Sequence, residues 1–164
     1  MSKLDVPFFW QDKEYTCGPT SLQMVLAYYG TRASEEALAE ELGATNEDGT
    51  RKQDMYELAV ALGYHCYVND GSAFEELQYL LQLKIPPIVR FIEPDEEEDH
   101  YGVVVAADST SLTIHDPWNG PDQTYDRAVF VERWVCRKLG TCKQWLLAIS
   151  PEPVPLGHQF HPHA

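Results

Sequence analysis

The residues with most to offer chemically are a cysteine and a glutamine six positions apart, in Gln11-Asp-Lys-Glu-Tyr-Thr-Cys17-Gly-Pro-Thr-Ser21. Beyond Pro19, the residues Leu22, Val25, Leu26 and Tyr29 recur at helical spacing, and Gly30 ends the run. Cys17 therefore stands at the mouth of a predicted helix. There the unpaired N–H groups and the positive end of the helix dipole favour thiolate over thiol, and the thiolate is the nucleophile. Such a nucleophile needs a base, a group that orients the base, and donors for an oxyanion.

Each of those roles has a candidate. His100 opens a predicted strand, directly after the acidic run Glu93-Pro-Asp-Glu-Glu-Glu-Asp99. Its neutral ring can take the thiol proton, and the imidazolium then holds the thiolate as an ion pair. Asp116 is the orienting carboxylate. The strands 101–107 and 111–115 are joined by the short Asp108-Ser-Thr110 and should pair as a hairpin, with His100 and Asp116 at its open end. A twisted hairpin with a small offset brings those ends together, and a carboxylate there fixes the tautomer of the ring. Gln11 is the oxyanion donor, acting beside the Cys17 backbone N–H.

Other residues invite blander readings. His115 neighbours Asp116 and points to the opposite face of a strand, so it is structural or exposed. His158, His161 and His163 lie on a tail and imply no specific metal site. Trp118 reads as an aromatic closing a turn, or as the lining of a cleft, and Trp10 has the same two readings. Cys66 sits in apolar surroundings and behaves as a small hydrophobe. Cys136 and Cys142 flank a short turn; free thiols are expected over a disulfide if the compartment is cytosolic. No zinc signature, phosphate loop or dinucleotide fingerprint is present, so no cofactor is called for.

The elements that must position these groups are legible. Ser34 caps a helix that ends at Gly43. A third helix runs over 54–62 to Gly63, and a short strand occupies 64–68. Ser72 is read as the cap of a helix over 74–81. After Pro87 the pattern changes to β-branched and aromatic runs at 87–92, 101–107, 111–115 and 143–149. The segment 125–137 is ambiguous between helix and strand. Helices first and an antiparallel sheet second is an α+β arrangement. In it the first helix lies on the sheet and aims Cys17 at the strand edges. Residues 1–150 read as a single domain, and 151–164 as a loose tail.

At 164 residues and 44% apolar content the chain suits one globular domain. Its net charge of −14 repels phosphate backbones and argues against nucleic acid as a partner. No run of eighteen apolar residues occurs, so no membrane span is expected. The first residues lack the apolar core of a secretory signal, which gives a cytoplasmic reading.

Taken together, Gln11, Tyr15-Thr-Cys17-Gly-Pro-Thr-Ser21, Gly49-Thr50, His100-Tyr-Gly-Val-Val104 and Asp116-Pro117 resemble cysteine peptidase family 39. The best-known members of that family remove leader peptides from bacteriocin precursors. The resemblance runs from about Val6 to Ile149. It implies a papain-like fold, with Cys17 as nucleophile, His100 as base, Asp116 as orienting carboxylate and Gln11 as oxyanion donor. The best-known members are domains of ABC exporters that cut after a double glycine. This chain looks more like the stand-alone members, whose substrate does not follow from the motif. The expected activity is thiol hydrolysis of a peptide or isopeptide bond, with a peptide or protein as partner. Acyl transfer to an amine, or an inert peptide-binding module, are the alternatives.

Overall fold

Local chemistry sets the helix ends. The computed structural model describes residues 3–138 and 141–162. Helix α1 spans Cys17–Tyr28. Pro19 falls in its first turn, where no intrahelical N–H is lost. Helix α2 (Glu35–Leu42) begins where Ser34 Oγ accepts the Ala37 N–H at 3.1 Å. It ends at Gly43, whose φ of 65° is the left-handed conformation that glycine adopts without penalty. Helix α3 is Lys52–Ala61 and α4 is Phe74–Gln82. Ser72 does not cap α4, contrary to the sequence reading. It lies one residue too early and is buried, and its hydroxyl takes the Asn69 amide instead. Glu76 does the capping, accepting the Ala73 N–H at 2.8 Å.

The strands are β1 (His65–Asn69), β2 (Ile88–Ile92), β3 (Asp99–Ala107), β4 (Ser111–Asp116) and β5 (Gly120–Asp126). Helix α5 (Arg127–Arg133) is followed by β6 (Val135–Cys136), β7 (Cys142–Lys143), β8 (Leu146–Ser150) and β9 (Gln159–Phe160). Seven strands form one antiparallel sheet in the order β5-β4-β3-β2-β8-β1-β9, and β6 pairs with β7 apart from it. This is the α+β arrangement the sequence implied. The ambiguous 125–137 stretch is divided among the end of β5, α5 and β6. Its anchors are Phe130 and Trp134, both fully buried, and the Trp134 indole donates to the Trp145 carbonyl at 2.7 Å.

Helix α1 lies on β3. It buries Leu22, Met24, Val25 and Leu26 completely. Removing that much apolar surface from water anchors the helix, at roughly 1.5–3 kcal/mol per large side chain. The helix start, and Cys17 with it, is thereby fixed above the β3 entrance.

The β3–β4 hairpin carries a bulge. Val104 pairs with Ile114 and Ala106 with Thr113, so β3 spends one extra residue there. That offset, with Val103 opposite His115, puts His100 beyond the last pair and diagonal to Asp116 on the same face. Gly102 lies between them. A Cβ on it would meet Ile114 Cγ2 at 2.7 Å and the Phe91 ring at 3.1 Å, so only glycine lets the strands close here.

Two expectations fail away from the hairpin. Cys136 and Cys142 are disulfide-bonded rather than free, because the β6–β7 pairing holds their Cα atoms 4.9 Å apart. The described residues after Pro151, up to 162, do not hang loose. Val154 is 1% exposed, and Gln159 and Phe160 pair with Tyr67 and Cys66 of β1. His161 meets His65 at 2.8 Å, His158 packs edge-on against Phe160, and His163 lies outside the described residues. No described helix is long and apolar enough to cross a membrane.

Candidate active site

Cys17 is the first residue of α1, and neither a side-chain cap nor an acidic residue occupies that first turn. The Cys17 and Gly18 N–H groups at the helix start are thus left without an intrahelical partner. Thr16 closes the preceding turn on itself, its hydroxyl donating to the Lys13 carbonyl and accepting the Lys13 N–H. Gly18 is required behind the cysteine, since a Cβ there would lie 2.8 Å from Thr50 Cβ. Cys17 is buried to 9% exposure.

Cys17, His100 and Asp116 lie in one row, joined at its far end by a hydrogen bond between His100 and Asp116. The Cys17 thiol and the His100 ring are close enough that each shifts the other's titration. On the other side, His100 Nε2 lies 2.6 Å from Asp116 Oδ1. Since Nε2 is engaged by the carboxylate, Nδ1 is the nitrogen left for the sulfur. Asp116 is fully buried and held from three more directions. The Trp118 and Asn119 N–H groups donate to Oδ1 at 2.9 and 3.1 Å, and the Asn119 amide donates to Oδ2 at 2.8 Å. Asn119 also reaches the buried Glu93 carboxylate at 3.3 Å.

The electrostatics follow. Burial pushes the Cys17 thiol up, but the charge and hydrogen bond of His100, the Arg90 guanidinium and the Tyr101 N–H outweigh it, and the net direction is down. Burial pulls His100 down, yet the thiolate beside it and the Asp116 carboxylate bring its net pKa above the ordinary value. For Asp116 burial raises the carboxyl, while His100 and Asn119 lower it further than burial raises it. The row therefore favours thiolate, imidazolium and carboxylate together.

Cys66 provides the internal contrast. It is fully buried with no charge beside it, and burial pushes its thiol up to about 12. Each unit of pKa difference changes the thiolate fraction about tenfold. Iodoacetamide at pH 6 is thus expected to label Cys17 at least about a hundredfold faster than Cys66. Mass spectrometry of the two tryptic peptides measures this, and equal slow labelling of both would contradict the charge arrangement.

Gln11 sits one turn away. Its backbone N–H donates to the Pro117 carbonyl at 3.1 Å, which ties its loop to the Asp116 turn. Its side-chain Nε2 donates to the Lys13 carbonyl at 2.7 Å, while Oε1 is buried without a partner. No hydrogen bond joins the Gln11 amide to Cys17 among the described residues. His115 points away from the row, as a buried ring bonded to the Val6 carbonyl at 3.0 Å. Trp10 is 61% exposed and lies over Gly120. The Trp118 indole donates to Asp95 at 2.9 Å.

Several residues at the site had no signal that sequence reasoning took up. Tyr101 donates its hydroxyl to the Thr50 carbonyl at 2.7 Å and so ties β3 to the Gly49-Thr50 loop. Asn119 holds Asp116. Arg90 interrupts an otherwise apolar strand, which was the one available clue. A cleft of about 530 Å³ opens beside Cys17, with Thr50, Arg90 and Asp99 on its walls.

Helices gathered on an antiparallel sheet, with a cysteine at a helix start facing a histidine on a strand, define the papain-like peptidase class. The chain belongs to the Peptidase_C39 like family, whose model matches residues 3–139. It is 31% identical over 113 residues to the lactococcin-G-processing and transport ATP-binding protein LagD of Lactococcus lactis subsp. lactis, covering 68% of this chain and 15% of LagD. The chain thus spans about a sixth of the length of that relative. Its structure is similar to the peptidase domain of Streptococcus ComA, a bi-functional ABC transporter involved in quorum sensing, with TM-score 0.70 and 25% identity. That match covers 88% of this chain and 97% of the ComA domain. It also shares its fold with a double glycine motif protease from an AMS/PCAT transporter, solved with the leader peptide, at TM-score 0.72 and 21% identity, covering 92% and 95% of the two chains. Family and fold support a cysteine peptidase function in general terms.

Proposed function

We propose that this protein hydrolyses a peptide bond through Cys17, His100, Asp116 and Gln11. The observation that carries the reading is the row from Cys17 through His100 to a fully buried Asp116 held by three N–H donors. In this reading the Cys17 thiolate attacks the scissile carbonyl. The oxyanion is held by the Cys17 N–H and by the second amide hydrogen of Gln11, the first being occupied by Lys13. The His100 imidazolium protonates the departing amine, and the acyl group stays on sulfur as a thioester. Neutral His100 then takes a proton from water, hydroxide adds to the thioester, and the thiolate leaves as the acid product is freed. The partner is a peptide, as it is for the protease solved with its leader.

The test is the thioester itself. Rapid acid quench of a cleaved peptide should yield protein carrying the acyl fragment on Cys17, seen by intact mass. Added hydroxylamine should divert the acyl group to a hydroxamate. Peptide cleavage with no adduct and no hydroxamate would rule out the covalent route.

A further inference from the structure

Arg90 is a charged residue placed where charge is costly. It lies on β2 between Val89 and Phe91 and is 6% exposed. A buried guanidinium ordinarily faces a carboxylate in bidentate contact. Here the nearest carboxylate oxygen, Asp99 Oδ2, is 3.8 Å away, beyond hydrogen-bond reach. That carboxylate is occupied by the Arg137 and Lys138 N–H groups. The guanidinium instead lies against the Tyr101 ring, with Cζ 4.4 Å from the centroid, and its other polar neighbour is the Tyr101 hydroxyl. It makes no hydrogen bond to a carbonyl or carboxylate among the described residues.

A guanidinium carries five N–H donors in a fixed fork. Leaving most of them without acceptors in a buried position is strongly unfavourable unless something enters to meet them. The cleft beside Cys17 is where such a group can enter, since Arg90 and Cys17 both line it. Thr50 lines the same cleft, and its buried Oγ1 has no hydrogen-bond partner. A guanidinium with donors to spare beyond its 3.8 Å ion pair to Asp99 and its contact with Tyr101, and a hydroxyl without a partner, thus stand beside the nucleophile.

We propose that Arg90 and Thr50 form a subsite for a carboxylate of the bound peptide, an aspartate or glutamate side chain adjacent to the scissile bond. This deepens the peptidase reading and rests on it for the identity of the ligand. The mouth of the cleft is acidic, with Glu14, Glu47, Asp48, Glu96 and Glu98 on its rim. Lys138, paired with Glu98, is the one other cation on that rim among the described residues, which suits a peptide whose acidic residue is flanked by basic ones.

The test uses a pair of reagents that differ by one carboxylate. Iodoacetate and iodoacetamide both alkylate a thiolate with loss of iodide, and only the first offers Arg90 an anion. The ratio of their rates on Cys17 should exceed the ratio on free cysteine by about tenfold or more, the worth of one hydrogen bond to a charged group. Arg90→Gln should bring the ratio back to that of free cysteine, and Arg90→Lys should retain part of it. A ratio equal to that of free cysteine in the native protein would overturn the subsite. Some loss common to both reagents is expected in Arg90→Gln, since the guanidinium also lowers the Cys17 thiol; a common loss that leaves the ratio unchanged would overturn the subsite as well. If Arg90→Gln fails to fold, the unaltered protein still decides. N-acetyl-glutamate amide should protect Cys17 from iodoacetamide at lower concentration than N-acetyl-glutamine amide, and equal protection refutes the proposal.

A peptide library completes the assignment, with glutamate favoured over glutamine at a position flanking the cut. Cleavage without any acid preference sinks the subsite and leaves the peptidase. Iodoacetate preference without cleavage of any peptide sinks the peptidase and leaves an anion site.

Discussion

Cys17→Ala is expected to lower peptide turnover by on the order of 10⁴-fold or more while the protein stays folded. The two halves of that expectation have separate causes. Turnover falls because no other thiol can serve. Cys66 is sealed in the core with its thiol pushed up to about 12, and the sulfurs of Cys136 and Cys142 are bonded to each other. The fold survives because the change removes one sulfur atom from a position at the edge of the cleft. The apolar residues that seat α1, from Leu22 to Leu26, are untouched. The change does strand His100 without its sulfur partner. With the thiolate gone, the charge that lifts the ring disappears and the ring titrates lower. The measurement is the rate of peptide cleavage beside the thermal midpoint of the same preparation. Retained cleavage would mean that another group is the nucleophile.

Asp116→Asn is the second large effect, on the order of 10²–10⁴-fold in rate. It also reshapes the pH profile. Asp116 receives four hydrogen bonds, from His100, from two backbone N–H groups and from the Asn119 amide. An asparagine offers one oxygen and one NH₂, so one of its faces meets donors with a donor. The carboxylate raises His100, so its loss lets the ring deprotonate at lower pH. Cys17 is lowered chiefly by His100, so a neutral ring lets the thiol rise. The native profile falls on the acid side as Cys17 takes up its proton and on the alkaline side as His100 loses its own. In the variant the acid limb moves up and the alkaline limb moves down, and the bell narrows from both sides. Stability shifts with the same signs. The Asp116 contribution is present above the ordinary carboxyl pKa and is lost as pH falls through its depressed value. The His100 contribution is full below its ordinary pKa and is lost as pH rises through its raised one. Cleavage rates across pH for both proteins check the narrowing, and an unshifted alkaline limb would show that the carboxylate does not act on the ring.

How far the sequence could be read depends on the distance over which each feature is decided. Helix α2 was legible because its cap, its acidic first turn and its terminal glycine are all local. The hairpin was legible because Asp108-Ser-Thr110 allows little else. The residues of the candidate row were named from their types and order, but the bulge at Val104 to Ala106 that sets His100 diagonal to Asp116 has no local marker. Gln11 was assigned from its spacing to Cys17, whereas the bond that spacing could not foresee is the one to Lys13. Ser72 was misread because serine before a helical run is a good cap in general, and only the partner on Asn69 takes it elsewhere. Strand β5 escaped notice because its residues are polar and mostly exposed, with nothing apolar to mark a buried face. The disulfide and the docking of the last segment are long-range outcomes, set by which strands become neighbours.

That last segment bears on how one side of the sheet is finished. Strand β1 pairs with β8 on one side and with the two residues of β9 on the other. Stripped of everything after Ser150, β1 would present an open row of N–H and C=O groups at the rim of a seven-stranded sheet reduced to six. Bare rims of that kind recruit strands from other molecules. The two paired residues Gln159 and Phe160 therefore serve as a selvedge, a finished border along part of β1.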